Sequence, residues 1–491
     1  MASEIQSTKS TLTWPLLAAA VVTFLGSSVP AGYNIGVINT PQLIIKEFCN
    51  QTIIERYSTE LSEYSLDIFW SWVVSVYIIG GTLGSFSGCW FADKWGRKGA
   101  ILVNNLLGAV AAALFVATPI AKSVEMLIIA RFLVGLSSGL TTSVVPMYMM
   151  EVVTLDLRGP MGVLCPLGIC FGVLVSQILG LEFILGSAET WHYLLGLYGI
   201  PVLICMAFLP YLPESPKYLF VIKKDEDKCT KALSRLRGLP ESALKTEILE
   251  TKAASLREIS AGQWGIVRLI KSKSLRWPLI LVCAMQGGQQ LSGINAVFYY
   301  SVPIFLSAGL NKESSQYASI GAGVVNFLVA ALATFLIGRF RRRALMLFSC
   351  TTVIVCLLLL AVSIYFMEQF SWLSYVSVVA MLSYVFFYGL GLGPIPYFIA
   401  SELFTVGPRS AGMALGSMAN WGANFLVGMT FPSVKSAIGA LSFLPFATST
   451  VILTFLVWKK LPETFGIDPA GSNELSSEEI ALQEESPTKE S

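Results

Sequence analysis

Long apolar runs separated by short polar breaks dominate this chain, and their lengths cluster near what a helix needs to cross a bilayer. About twelve can be read, near residues 12–36, 68–90, 99–120, 125–150, 159–183, 191–211, 276–306, 315–337, 344–367, 374–402, 410–434 and 438–459. A hydrocarbon layer is spanned by roughly 20 apolar helical residues. Gly and Pro recur inside the runs, as at Gly389-Leu390-Gly391-Leu392-Gly393-Pro394-Ile395-Pro396. Such residues would break an isolated helix, but in a membrane bundle neighbouring helices satisfy the freed backbone groups. The pattern predicts an all-α membrane protein.

The runs also repeat. Glu151 is followed seven residues on by Arg158, and Glu402 seven residues on by Arg409. A basic turn, Asp93-Lys94-Trp95-Gly96-Arg97-Lys98, has a counterpart in Arg339-Phe340-Arg341-Arg342-Arg343. Pro213-Glu214-Ser215-Pro216 closes the first set of runs and Pro462-Glu463-Thr464 the second. Parallel repeats of this kind place a substrate site between two pseudo-symmetric halves. The expected organisation is a first six-helix half over 1–211, a cytoplasmic linker with short helices over 212–275, a second six-helix half over 276–459, and a largely disordered cytoplasmic tail over 460–491. In the linker, Thr230 to Gly238 reads as helix, with Gly238-Leu239-Pro240 as its stop.

Composition strengthens this picture. The chain is 54% hydrophobic and 13% charged, with a mean hydropathy of +0.67; soluble domains carry about 25% charged residues. With residue 1 inside, the inner loops collect Lys94, Arg97, Lys98, Arg158, the 212–275 segment and the Arg339–Arg343 cluster. The outer loops hold Lys46, Arg56, Lys122, Lys312 and Lys435. That asymmetry puts both termini in the cytoplasm. Residues 1–11 are polar and the following run is long enough to span, so no cleaved signal is read there. Of nine cysteines only Cys49 falls in an expected outer loop, and no CxxC pair points to a metal. No cofactor and no nucleic-acid partner is expected.

Two groups of polar residues carry the candidate chemistry. At the expected inner ends of the spans lie Lys94, Arg97, Glu151, Arg158, Arg342, Arg343, Glu402 and Arg409, with Arg131 counted among them at the start of the fourth run. Charged residues at span ends need partners. Ion pairs among them would tie helix ends together and form an inner gate. The second group is Gln289-Gln290-Leu291-Ser292-Gly293-Ile294-Asn295, in the middle of the seventh run. Amides at that depth are costly unless bonded. They either glue helices together or face a wet cavity and bind a neutral polyhydroxylated ligand, since amides donate and accept as hydroxyls do. Gly293 lets the helix bend, and Tyr299-Tyr300 above it read as an outer gate. Asn326, Asn420 and Asn424 are further mid-span amides. The sequon Asn50-Gln51-Thr52 falls on the expected outer side and reads as a glycosylation site.

Gln-Gln-Leu-Ser-Gly-Ile-Asn at 289–295, Pro-Glu-Ser-Pro-Lys at 213–217, Gly-Pro-Ile-Pro-Tyr at 393–397, Gly96-Arg97-Lys98 and Gly32-Tyr33-Asn34-Ile35-Gly36-Val37-Ile38-Asn39 together resemble the facilitative hexose (GLUT-type) transporters. These form part of the sugar porter branch of the major facilitator superfamily. The resemblance runs over nearly the whole chain. It implies the major facilitator fold, with Gln289, Gln290, Asn295, Asn326 and Asn424 as ligands of sugar hydroxyls and Trp421 as an apolar wall. Tyr397, where the family usually has tryptophan, joins that set. Pro166 stands where the family usually offers a glutamine, and Gly389 where a glutamate is common.

The reading is facilitative uniport of a hexose, glucose first, across the plasma membrane by alternating access. Fructose or a broader range of hexoses is the alternative. Proton-coupled symport is weaker, because coupling needs a titratable group in the membrane beside the site, and the first run, Trp14 to Thr40, contains no Asp, Glu or His. A non-transporting sugar sensor is weaker still, since the tails are short. No nucleophile–base constellation or phosphate loop suggests an enzyme.

Overall fold

The structure is a computed structural model and describes residues 13–154, 157, 161–245, 247–249, 264–404 and 406–464. Arg158, part of the linker and the tail from 465 lie outside the described residues. Among the described residues, eight helical stretches are long and apolar enough to cross a membrane. Two of them, Glu63–Ala121 with 59 residues and Gly407–Lys460 with 54, are each long enough for two passes, since 59 residues of helix reach about 88 Å. Adding the shorter Leu164–Leu179 and the broken pair Arg276–Leu291 and Ile294–Ser307 brings the passes to twelve, and the chain is a multi-pass membrane protein.

The breaks have local causes. Glu63–Ala121 turns back on itself at Gly96, whose φ is +84°. A Cβ there would lie 2.4 Å from a Glu214 carboxylate oxygen, so the position excludes a side chain on two counts. The seventh span breaks at Gly293, φ +92°, as the sequence anticipates, and the Phe446 ring fills the space a side chain would need. The first span runs from Trp14 to Gly36 with a π-helical turn at Phe24–Ser28 just before Pro30, where the ring removes a backbone donor. In the linker, Asp225 caps Glu226–Arg237 through the Lys228 N–H at 3.0 Å, and Gly238 ends it in the left-handed conformation.

Among the described residues, three pairs of elements pack most closely across the linker. Glu63–Ala121 lies against Val406–Ile438, Leu164–Leu179 against Lys312–Ile337, and Val29–Gly36 against Ile294–Ser307. The last contact is at the end of the bundle away from the basic turns. A helix at Gln42–Tyr57 covers that end, and Asn50 sits within it, half-buried, rather than on an open loop.

Candidate functional site

The amides of the seventh span converge with those of the eleventh. Gln286, Gln289 and Gln290 share a face of Arg276–Leu291, spaced three and four residues apart, and all three are buried. Asn420, on Val406–Ile438, is their hub. Its Nδ2 donates to Gln289 Oε1 at 2.6 Å and to Gln286 Oε1 at 3.0 Å, while its Oδ1 accepts from Gln290 Nε2 at 3.2 Å. Beyond the break at Gly293, Asn295 Nδ2 donates to Gln290 Oε1 at 2.7 Å. On a straight helix Gln289 and Asn295 would sit ~120° apart; the break brings Asn295 back over the cluster. The tenth span supplies backbone acceptors, with Gln289 donating to Gly393 O and Gln286 to Pro396 O at 3.0 Å.

The other expected ligands surround this cluster unevenly. Asn424 and Tyr299 are both buried, and the Tyr299 hydroxyl lies beside the Asn424 side chain. Asn326, half-buried on Lys312–Ile337, neighbours Cys170 of the first half. Tyr397 has Asn420 on one side and Cys165 and Cys170 of the first half on the other, yet is 56% exposed. It therefore faces open space between the halves. Trp421 reaches across to the second span, where a Cβ on Gly81 would fall 2.4 Å from its ring. Gln286 and Asn420 are the members that sequence reading left out of the ligand set, though the spacing from Gln286 to Gln289 and Gln290 already placed it on their face. Each cluster member is an amide, able to donate and accept but not to titrate, which suits an uncharged polyol.

At the basic end, two assemblies repeat almost atom for atom. Arg97 grips Glu151 with Nε–Oε2 at 2.7 Å and Nη2–Oε1 at 2.9 Å, while Ser215 Oγ donates to the same carboxylate. Arg97 also donates from Nη1 to Ala92 O, and its backbone N–H bonds Glu214 at 3.1 Å. Arg342 repeats this set. Nε lies 3.2 Å from Glu402, Nη1 donates to Ile337 O, the N–H bonds Glu463 at 2.8 Å, and Thr464 donates to Glu402. Burial raises the Glu214 carboxyl above its usual range, and the N–H groups of Ser215, Lys98 and Arg97 with the Lys98 charge pull it back only in part. The sequence-near pairing of Glu402 with Arg409 is not what forms; Arg409 reaches the Phe404 carbonyl at 3.4 Å instead. Lys94 lies 4.6 Å above the Trp90 ring, and Arg343 donates to Trp458 O. These ion pairs close within each half and do not join one half to the other.

Arg131 does not belong to that end. It lies twenty positions before Glu151 on Val124–Val152, about 30 Å away along the axis. The fourth span starts at the end opposite the basic turns, because three passes precede it. Arg131 is fully buried there, donating to Asn34 O at 3.0 Å and sitting 4.6 Å over the Tyr77 ring. Tyr299 and Tyr300 lie towards that same end, buried, with Tyr300 donating to Gly428 O at 3.0 Å.

The family model described as "Sugar (and other) transporter" matches residues 19–473. Among curated proteins, the chain is 44% identical over 452 residues to "Solute carrier family 2, facilitated glucose transporter member 3" of Mus musculus, covering 92% of this chain and 91% of that protein. It is 39% identical to "Solute carrier family 2, facilitated glucose transporter member 5" of Equus caballus over 453 residues, 92% and 90% of the two chains. Among solved structures, the partially occluded inward-open xylose transporter XylE from E. coli superimposes with a TM-score of 0.77 over 93% of this chain and 100% of that one. At 21% identity that likeness bears on the fold alone.

Proposed function

This chain belongs to the sugar transporter family, and from that premise we infer that it carries a hexose, glucose in the first place, down its concentration gradient across the plasma membrane by alternating access. The observation that carries the reading is the cluster of Gln286, Gln289, Gln290, Asn295 and Asn420, five amides gathered at a helix break, with the buried Asn424 one turn on from Asn420 along the same helix. In this reading the amides bond one another while the site is empty and exchange those bonds for sugar hydroxyls on binding. A site of this kind rejects a solute lacking matching hydroxyls, because each buried polar group left unpaired costs about 1–3 kcal/mol.

The remaining assignments follow the same frame. The basic end is cytoplasmic, as are both termini, and the opposite end is outer. Gln289, Gln290, Asn295, Asn326 and Asn424 bond the sugar, with Tyr397 and Trp421 as walls; Tyr299 and Tyr300 cover the outer side. The assemblies around Arg97–Glu151 and Arg342–Glu402 fasten helix ends within each half, so that each moves as one body. Lys94, Arg343 and Arg409 border them. Coupling to protons finds no support at the first span, where Arg131 donates to the backbone carbonyl of Asn34 and the run Trp14 to Thr40 carries no Asp, Glu or His. Asn50 remains the glycosylation candidate.

Trp421 gives a direct test of the cavity wall. Gly81→Val adds a branched side chain where the Trp421 ring already lies within 2.4 Å of an added Cβ. Overpacking of this sort displaces the ring at a cost of about 1–3 kcal/mol. Hexose uptake by the variant should fall about tenfold or more while the protein still reaches the membrane. Unchanged uptake kinetics would remove Trp421 from the transport path.

A further inference from the structure

Four buried polar side chains meet where the two halves touch at the outer end. Asn39, just past the first span, donates from Nδ2 to Ser301 Oγ at 2.6 Å and to Ser319 Oγ at 3.1 Å. The two hydroxyls lie 2.6 Å apart, and Gln177 Nε2 donates to Ser319 Oγ at 3.2 Å. Asn39 and Gln177 come from the first half, Ser301 and Ser319 from the second. None of the four is more than 1% exposed. Gln177 is locked against the eighth span, where a Cβ on Gly323 would come within 2.1 Å of its Oε1.

Asn39 does something more. Its Oδ1 accepts the backbone N–H of Val302 at 3.3 Å. The helix Ile294–Ser307 is interrupted two residues earlier, at Tyr300, with φ −135° and ψ 18°. Just past this interruption the Val302 N–H finds an acceptor on the opposite half. Tyr300 bonds Gly428 of its own half and also lies beside Ser71 of the first half. A further outer bond across the halves is the Lys312–Glu182 ion pair at 2.6 Å, both side chains more than half exposed. Exposed pairs contribute little, whereas breaking a bond between buried polar groups leaves them unpaired at a greater cost.

We propose that Asn39, with Gln177, Ser301 and Ser319, is the clasp that holds the outer entrance shut, and that Asn39 couples closure to the bend of the seventh span at Tyr300. This rests on the alternating-access reading above. When the halves part, Val302 loses its acceptor and the helix rewinds through Tyr300, so clasp and bend open together. The clasp is made of neutral groups, whereas the ion pairs of Glu151 and Glu402 stay within their halves and travel with them. Asn39 is thus a positioning residue that sets the balance between outward- and inward-facing states, without being needed as a sugar ligand.

Hydrogen–deuterium exchange on the full-length protein in nanodiscs without sugar tests the clasp. Asn39→Ala should speed exchange across 297–303 about threefold to tenfold, the factor expected for one or two lost hydrogen bonds, and leave 276–290 unchanged. In proteoliposomes the same variant should lower the half-saturation concentration for D-glucose influx and raise that for efflux, since a weakened outer closure populates the outward-facing state. Ser319→Ala, a milder change, should act in the same direction, and the double variant should be less than additive because both act through one set of bonds. Exchange unchanged across 297–303, or raised equally throughout the protein, would overturn the proposal. So would influx and efflux constants that shift in the same direction. The exchange arm needs no sugar, so it decides on the clasp even in a protein found to carry no hexose.

Discussion

Replacing Gln290 with leucine will weaken hexose binding about tenfold to a hundredfold, a loss of roughly 1–3 kcal/mol, while the protein stays folded. The substitution nearly conserves volume and opens no large cavity. It does strand two neighbours, because Gln290 donates to Asn420 Oδ1 at 3.2 Å and accepts from Asn295 Nδ2 at 2.7 Å. Asn420 retains Gln286 and Gln289, and Asn295 is only half-buried and can turn to water. Some loss of thermal stability is therefore expected, smaller than the loss of affinity. If the amides served only to glue the seventh span to the eleventh, the order would reverse. Melting temperature would drop and the surviving protein would bind hexose as before. Equilibrium binding and thermal unfolding of the same preparation separate the two.

Arg97→Met should be the most destabilising single change at the basic end. Arg97 and Glu151 are 7% and 10% exposed in their side chains and share two hydrogen bonds. Removing one partner of a buried pair leaves the other charge without compensation, at a cost of about 3–5 kcal/mol. Unfolding of the detergent-solubilised variant should move to clearly lower temperature. Arg97→Met with Glu151→Met together should recover part of the loss, because no stranded carboxylate remains. This separates a staple within the first half from a latch between the halves. Breaking a latch would shift the inward–outward balance and leave thermal stability near the parent value.

The contrast between these two sites shows where sequence reading reaches. Apolar runs announced the spans, since nothing but length and hydropathy sets a membrane crossing. The break at Gly293 was legible because glycine among amides at mid-span has few other uses, and φ +92° there bears it out. Partner choice was not legible. Glu402 and Arg409 are near in sequence, but the second half folds Glu463 and Thr464 back onto Arg342 and Glu402, and only the three-dimensional return of the chain sets that pairing. Arg131 was assigned to the wrong end although alternation of the spans already placed it opposite the basic turns. Asn420 looked like one amide among several, and its place as hub depends on how the seventh and eleventh spans face each other. Asn39 ends the Gly32–Asn39 motif but nothing in that motif names its partners, Gln177 carries no motif, and their meeting with Ser301 and Ser319 follows from the contact between halves.

The central claim is passive hexose transport through a neutral site, and flux in sealed proteoliposomes under an imposed proton gradient tests it most directly. Labelled D-glucose should enter until the inner and outer concentrations match, at a level that neither a pH gradient nor a protonophore changes, with counterflow when the vesicles are preloaded. Accumulation above the external concentration that collapses on adding the protonophore would contradict it.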